Sequence, residues 1–212
     1  MDNPVLIFGA GAVARQAREI FESNGNMVFG FLDDDKALHG TTIDDISVLG
    51  ATDDDGFLKL IGKKCEAFVA VDDNRLRKSL VRMLNDVRHM QPVNAVHPRA
   101  GISSRANMGH GNLIDASVEI SAGVELGSHA LIYPMAYLGV EVQCGDYVQI
   151  GAGSKINSAV KIEDEVFIGS GAIVVSGVTL GKGCRIGAGS VVVADVPAGA
   201  TMFGNPAKSV AV

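Results

Sequence analysis

A chain of 212 residues fits one large domain or two small ones. Its formal net charge of −6 leaves no basic footprint, which argues against DNA or RNA as a main partner. No apolar run approaches the ~20 residues of a membrane span, and the start MDNPVLIFG lacks a basic segment followed by a long apolar one. A cytoplasmic protein with no membrane partner is therefore expected. Glycine is abundant at 26 residues, and aromatic residues are few at 5%, so tight backbone turns are expected rather than a core of large rings. Cys65, Cys144 and Cys184 are far apart and odd in number. They form neither a metal-binding spacing nor a disulfide framework, so no metal is expected, and the cysteines read as reduced and buried.

Residues 1–91 read as alternating strands and helices. Val5 to Phe8 is a short apolar run, a candidate buried strand, and it ends at Gly9-Ala10-Gly11. A helix follows, with Val13, Ala17, Ile20 and Phe21 on one face, broken at Ser23 to Asn26. Met27 to Leu32 is a second strand that ends in Asp33-Asp34-Asp35. Ala67 to Val71 is a third, followed by Asp72-Asp73-Asn74. Asp73 or Asn74 is a candidate N-cap for a helix from Arg75 to about Val87. That helix places Leu76, Leu80, Val81 and Leu84 on one side and Arg75, Lys78 and Arg82 on the other. Strand, helix, strand in this order predicts a small parallel α/β sheet, Rossmann-like, with about three strands.

Gly9 to Ala14 fits the dinucleotide fingerprint with alanine in the last glycine place. Such glycines let a phosphate approach the backbone, and the following helix N-terminus favours its charge. A tight turn with no ligand explains the same residues. So does an NAD site, because Asp33 to Asp35 end the second strand. Asp72-Asp73-Asn74, followed by Arg75 and Arg77, lies at the C-terminal end of the third strand, where ligands of open α/β sheets gather, or else it is only a capping run with a solvated basic face.

From about residue 98 the rhythm changes. Stepping by six from Ile102 to Val192 gives sixteen positions, fifteen of them aliphatic or Met and one Cys144. Glycine follows at 109, 127, 139, 145, 151, 169, 181 and 187. Two places before each position stands Ala, Val, Ser or Cys, except at Asn112. A period of six over residues 98–212 predicts a β-solenoid of short strands with a corner after each. Such a solenoid has exposed edges and cannot bury all its apolar surface alone.

The hexads, with VPAGATMFGNPAK after them, resemble the left-handed parallel β-helix of the hexapeptide-repeat acyltransferases. In the N-terminal part VLIFGAGAVARQ, GFLDDDKALHG, ISVLGATDD and VAVDDNRLRKSL resemble the nucleotide-sugar-binding domain of one subfamily. It contains sialic acid O-acetyltransferases, UDP-4-amino-sugar (bacillosamine-pathway) N-acetyltransferases and GDP-perosamine N-acetyltransferases. The resemblance implies an acetyl-CoA-dependent acetyltransferase that acts on a nucleotide-linked sugar for surface glycan or polysaccharide, assembled as a homotrimer. It implies Gly9, Gly11, Asp33, Asp34, Asp72 and Asn74 as substrate contacts. Coenzyme A is expected along the corner of Gly151, Gly169 and Gly187, which share one register, although turns with positive φ explain them equally. Lys182, Arg185 and Lys208 are candidates for its phosphates.

Two departures stand out. Relatives often carry Gly-Gly-His after the first Gly-Ala-Gly, and here the residues are Ala12-Val13-Ala14. The family's catalytic histidine falls at Val140, its carboxylate partner at Glu141, and a second histidine at Gln149. None of the five histidines shares the corner of residue 140, where Ser104, Ala122, Ser158 and Ser176 recur. Glu141 is then the general base, or the chain binds nucleotide sugar or CoA and catalyses little, or a base comes from elsewhere, including a neighbouring subunit.

Overall fold

A computed structural model describes residues 3–210. They form two compact units, Met1–Pro98 and Arg99–Val212. Among the described residues no helix is long and apolar enough to cross a membrane.

In the first unit the order is β1 (Val5–Phe8), α1 (Ala12–Ser23), β2 (Val28–Leu32), β3 (Thr42–Ile43), β4 (Ile46–Gly50), α2 (Asp55–Leu58), β5 (Glu66–Val69) and α3 (Asn74–Arg88). The sheet runs β3-β4-β2-β1-β5, parallel except for the β3–β4 hairpin. It thus has five strands, where about three were expected. The hairpin turns on Asp44 and Asp45, both with positive φ, a two-residue turn whose twist suits its strands. Aspartate tolerates that conformation, but Asp-Asp lacks the glycine that usually marks such a turn. One side of the sheet packs Leu6, Phe8, Leu32, Ala67 and Val69 against Leu80, Val81 and Leu84 of α3. Asp73 caps α3, its side chain accepting from Leu76 N at 2.7 Å. The buried face of α3 is Arg77, Leu80, Val81 and Leu84, while Leu76 is 44% exposed. The expectation for Leu76 fails because 77, 80, 81 and 84 fall on one stripe, and the arginine at its head is drawn inward. After α3, Val93 N donates to Ala67 O and ties the following segment back to β5.

The second unit is a left-handed parallel β-helix. Sixteen two-residue strands run from Gly101–Ile102 to Val191–Val192, and each expected beat is the second residue of its strand. Each of the first thirteen pairs in parallel with the strand eighteen residues on, as Tyr137 with Lys155 and Leu138 with Ile156. The beats from Ile114 to Val192 are buried, and Ile102 and Met108 are half-buried. The small partner positions from 118 to 190 are buried too, while Ala100 and Ala106 are half-buried. The exception, Asn112, is fully buried, and its side chain donates to Gly127 O and accepts from Ala130 N.

Corner geometry corrects one expectation. Positive φ falls on the third residue after each beat, from Gly111 to Gly189, with Ser117, His129, Met135, Glu141, Tyr147, Ala159 and Glu165 among them. The glycines directly after the beats do not have it. Their reason is steric: a Cβ on Gly151 would stand 2.4 Å from Ser170 N, and one on Gly169 would stand 2.5 Å from Ala188 N. The next coil passes too close for a side chain. At the C-terminal end Thr201–Gly204 pairs in parallel with Arg185–Ile186, then folds back antiparallel onto Ala207–Val210.

Candidate active site

Because β2, β1 and β5 are neighbours and parallel, their C-terminal ends share one edge. Gly9, Gly11, Asp33, Asp72 and Asn74 come together there. Gly9 has φ +104, and a Cβ on it would lie 2.7 Å from Ala70 O. Gly11 is the N-cap of α1, with open space where a Cβ would be and no acidic residue in the first helical turn. An anion is favoured at such a terminus.

The two aspartates are used by the protein itself. Asp33 Oδ2 accepts from Ala10 N at 2.8 Å, and its Oδ1 accepts from Asp35 N at 2.9 Å. It therefore pins the glycine turn to the end of β2. His39 Nε2 donates to Asp33 O at 2.7 Å, since a carbonyl can only accept. Asp34 Oδ1 accepts from Thr52 N at 2.9 Å and Thr52 Oγ1 at 2.8 Å, which ties β2 to the residues after β4. Asn74 Oδ1 accepts from Arg77 Nη2, and the carbonyl of Asp72 accepts from Arg77 Nη1 at 3.1 Å. Thr52 was not singled out from the sequence, and Arg77 was named there only beside the run Asp72-Asp73-Asn74. Its burial could have been found from its place on the stripe of Leu80, Val81 and Leu84.

In the β-helix, Glu141 is exposed at the corner 139–141, with φ +61. Its N–H donates to Ala122 O at 3.1 Å, and Ala159 N donates to Val140 O at 2.9 Å. A Cβ on Gly123 would be 3.3 Å from Glu141 Cγ, so the glutamate side chain lies across that glycine. Val140 is 44% exposed. The corner is shallow, and small residues stand above and below the carboxylate. Among the described residues no imidazole shares it. His110 and His129 occupy another corner, where His129 N donates to His110 O at 2.7 Å. His129 is 6% exposed, and its ring is stacked on Tyr147, with centroids 4.8 Å apart. Gln149 is half-buried in register between Leu131 and Phe167.

Gly151-Ala152-Gly153, Gly169-Ser170-Gly171 and Gly187-Ala188-Gly189 stack at one corner. At Gly153, Gly171 and Gly189 a Cβ would meet nothing within 4 Å. The strip has no side chain of its own larger than serine, and the ring of Phe203 closes it at Gly187. Arg185 sits 4.5 Å from the Phe167 ring centroid. Lys208 is opposite Phe203, whose ring lies against Gly187. Arg185, Lys208 and Gly187 therefore gather at the C-terminal end of one face. Lys182 does not join them. It lies at a different corner, with its Nζ 3.6 Å from Asp164 and 3.7 Å from Glu165. All three cysteines are free and buried. Burial pushes the thiols of Cys65 and Cys184 up to about 11 and that of Cys144 higher still, which keeps them protonated and unreactive.

Residues 4–84 match the family model of the PglD N-terminal domain, and residues 159–194 match that of the bacterial transferase hexapeptide (six repeats). A search of curated protein sequences returned no match. Among solved structures, the chain is similar to a His-to-Asn variant of perosamine N-acetyltransferase from Caulobacter crescentus, in complex with CoA and GDP-perosamine. The identity is 32%, with 99% of this chain and 97% of that one covered at a TM-score of 0.90. The acetyltransferase domain of PglB from Neisseria gonorrhoeae FA1090, in complex with acetyl coenzyme A, is 27% identical. It covers 99% of this chain and 100% of that one, with a TM-score of 0.91. WeeI from Acinetobacter baumannii AYE is 25% identical over 98% and 99%, with a TM-score of 0.84. With 32% identity along nearly its whole length, the chain belongs to the hexapeptide-repeat sugar acetyltransferases that carry a PglD-type N-terminal domain.

Proposed function

We propose that this protein transfers the acetyl group of acetyl-CoA to the amine of a nucleotide-linked amino sugar. The observation that carries the reading is the full-length match to an N-acetyltransferase that holds both CoA and GDP-perosamine. The residues fit both ligands. The edge of Gly9, Gly11, Asp72 and Asn74, with the N-terminus of α1, suits the phosphates of the nucleotide. Asp33 and Asp34 shape that edge through Ala10 and Thr52 and offer acceptors to the ribose or base. The glycine strip admits a thin pantetheine chain, and Arg185 and Lys208 at its end suit the CoA phosphates. Lys182 serves there only after leaving Asp164 and Glu165.

The chemistry needs little from the protein. A neutral amine attacks the thioester carbonyl, the C–N bond forms and the C–S bond breaks. Glu141 accepts the proton that the nitrogen sheds, and that proton ends on the CoA thiolate. Holding amine and thioester together supplies much of the acceleration. We further propose a homotrimer in the cytoplasm. Tyr137, Ile173 and Val191 lie on one face of the β-helix, with the exposed Lys155 between the first two, and support a contact with a second copy there.

Release of CoA thiol, followed with acetyl-CoA and a panel of UDP- or GDP-linked 4-amino sugars, tests the reading. Glu141→Gln is expected to lose ~10²-fold in kcat with nucleotide-sugar affinity kept. Wild-type speed in Glu141→Gln removes Glu141 as the base. The exposed Val140 favours a second reading, a member that binds its ligands and turns over little. Calorimetric binding of the nucleotide sugar with no thiol released on any substrate would select it.

A further inference from the structure

Arg77 is 0% exposed, and the functional reading so far gives it no task. Burying a guanidinium is costly unless its donors are met. The two terminal nitrogens of Arg77 find partners on the loop between β5 and α3. Its Nη1 donates to the carbonyls of Val71 and Asp72, and its Nη2 donates to Oδ1 of Asn74. That loop is the wall against which the glycine turn packs. A Cβ on Gly9 would stand 2.7 Å from Ala70 O and 3.1 Å from Val71 Cγ2. Peptide groups are planar and trans, so a carbonyl turned one way turns the N–H of the next residue the other way. With the carbonyls of Val71 and Asp72 drawn onto the guanidinium, the N–H groups of Asp72 and Asp73 point away from it. Both residues are exposed, whereas Arg77 is buried.

We infer that Arg77 is a positioning residue for the phosphates of the nucleotide sugar. It touches no ligand. It holds two carbonyls inward, so that the N–H groups of Asp72 and Asp73 face the edge beside Gly9, where an anion meets donors rather than acceptors. The inference rests on the proposed function. Asp72 and Asn74 thereby act through their backbone and through Arg77, more than through the side chains that the sequence made candidates.

The test uses the full chain, acetyl-CoA and the nucleotide sugar that the wild type turns over. Arg77→Met is expected to raise the KM for nucleotide sugar about tenfold or more, with kcat and the KM for acetyl-CoA held within about twofold. A purely structural role would lower the active fraction, and so kcat, without moving one KM alone. Arg77→Lys keeps a donor and is expected to fall between. If Arg77→Met does not fold by circular dichroism, Arg77→Lys decides: a selective rise of a few fold supports the inference, and an unchanged KM overturns it. A folded Arg77→Met with wild-type KM overturns it directly. A wild type that binds no nucleotide sugar by calorimetry overturns the proposed function, and this inference with it.

Discussion

Replacing Val140 by histidine is expected to raise kcat/KM by about a hundredfold or more, the usual worth of a positioned general base. The side chain at 140 is exposed, and Ala122 and Ser158 in the adjacent coils leave room for an imidazole beside Glu141. The pH profile should change in form as well. Without an imidazole, the rate is expected to climb as the acceptor amine loses its proton, with a single break near its own pKa of about 8. Val140→His should add a second break near ~6.5, the range of histidine. Histidine needs its neutral form to accept a proton, so activity should fall below that break. If the wild type already shows a break near ~6.5, a histidine serves as the base, brought by a neighbouring copy. If Val140→His changes neither rate nor profile, the corner of Glu141 is not where the amine reacts.

Gly169→Ala is expected to cost ~3 kcal/mol, because its Cβ would stand 2.5 Å from Ala188 N and 2.9 Å from Ala188 Cα and Gly187 C. Those are backbone atoms, which cannot turn aside as the end of a side chain can. The expected fall in Tm is about 10 °C for a chain of this size. Gly171→Ala, two residues on, is the control. It has φ +69 and open space around its missing Cβ, so only left-handed strain applies, at about 1 kcal/mol. Calorimetric melts of the two variants decide between the causes. Equal losses would mean that backbone conformation, not the spacing of coils, selects glycine after the beats.

The β-helix was legible because burial repeats every six residues without a gap, and each beat became the inward residue of a strand. The glycines at the same corners were legible as a pattern but left open as to cause. Sequence spacing shows that a side chain is missing but not whether φ or a neighbouring coil removed it. The β3–β4 hairpin escaped because Asp44-Asp45 carries the turn without glycine, and its strands are too short to show alternation. Arg77 escaped because a cation in a helix reads as solvated. Only the fold shows the carbonyls of Val71 and Asp72 waiting for it. The separation of Lys182 from Arg185 has the same origin. Three residues apart, they lie on a corner and on a face, and only the first meets Asp164 and Glu165.

At the candidate site the strand ends were legible, because the apolar runs of β1, β2 and β5 fix where the chain leaves the sheet. The sequence did not show that Asp33 and Asp34 are first of all clasps for Ala10 and Thr52. Hydrogen bonds between loops far apart in sequence leave no spacing to read. What the sequence did show, and the structure keeps, is a corner with a carboxylate and no imidazole.

The most direct measurement is the identity of the product. The protein is incubated with acetyl-CoA and a UDP- or GDP-linked 4-amino sugar, and the nucleotide sugar is examined by mass spectrometry while free CoA is counted. The expected result is an N-acetylated nucleotide sugar formed one for one with CoA, and no product from the corresponding 4-hydroxy sugar. Every nucleotide sugar recovered unchanged, with acetyl-CoA intact across the pH range where the amine is neutral, would contradict it.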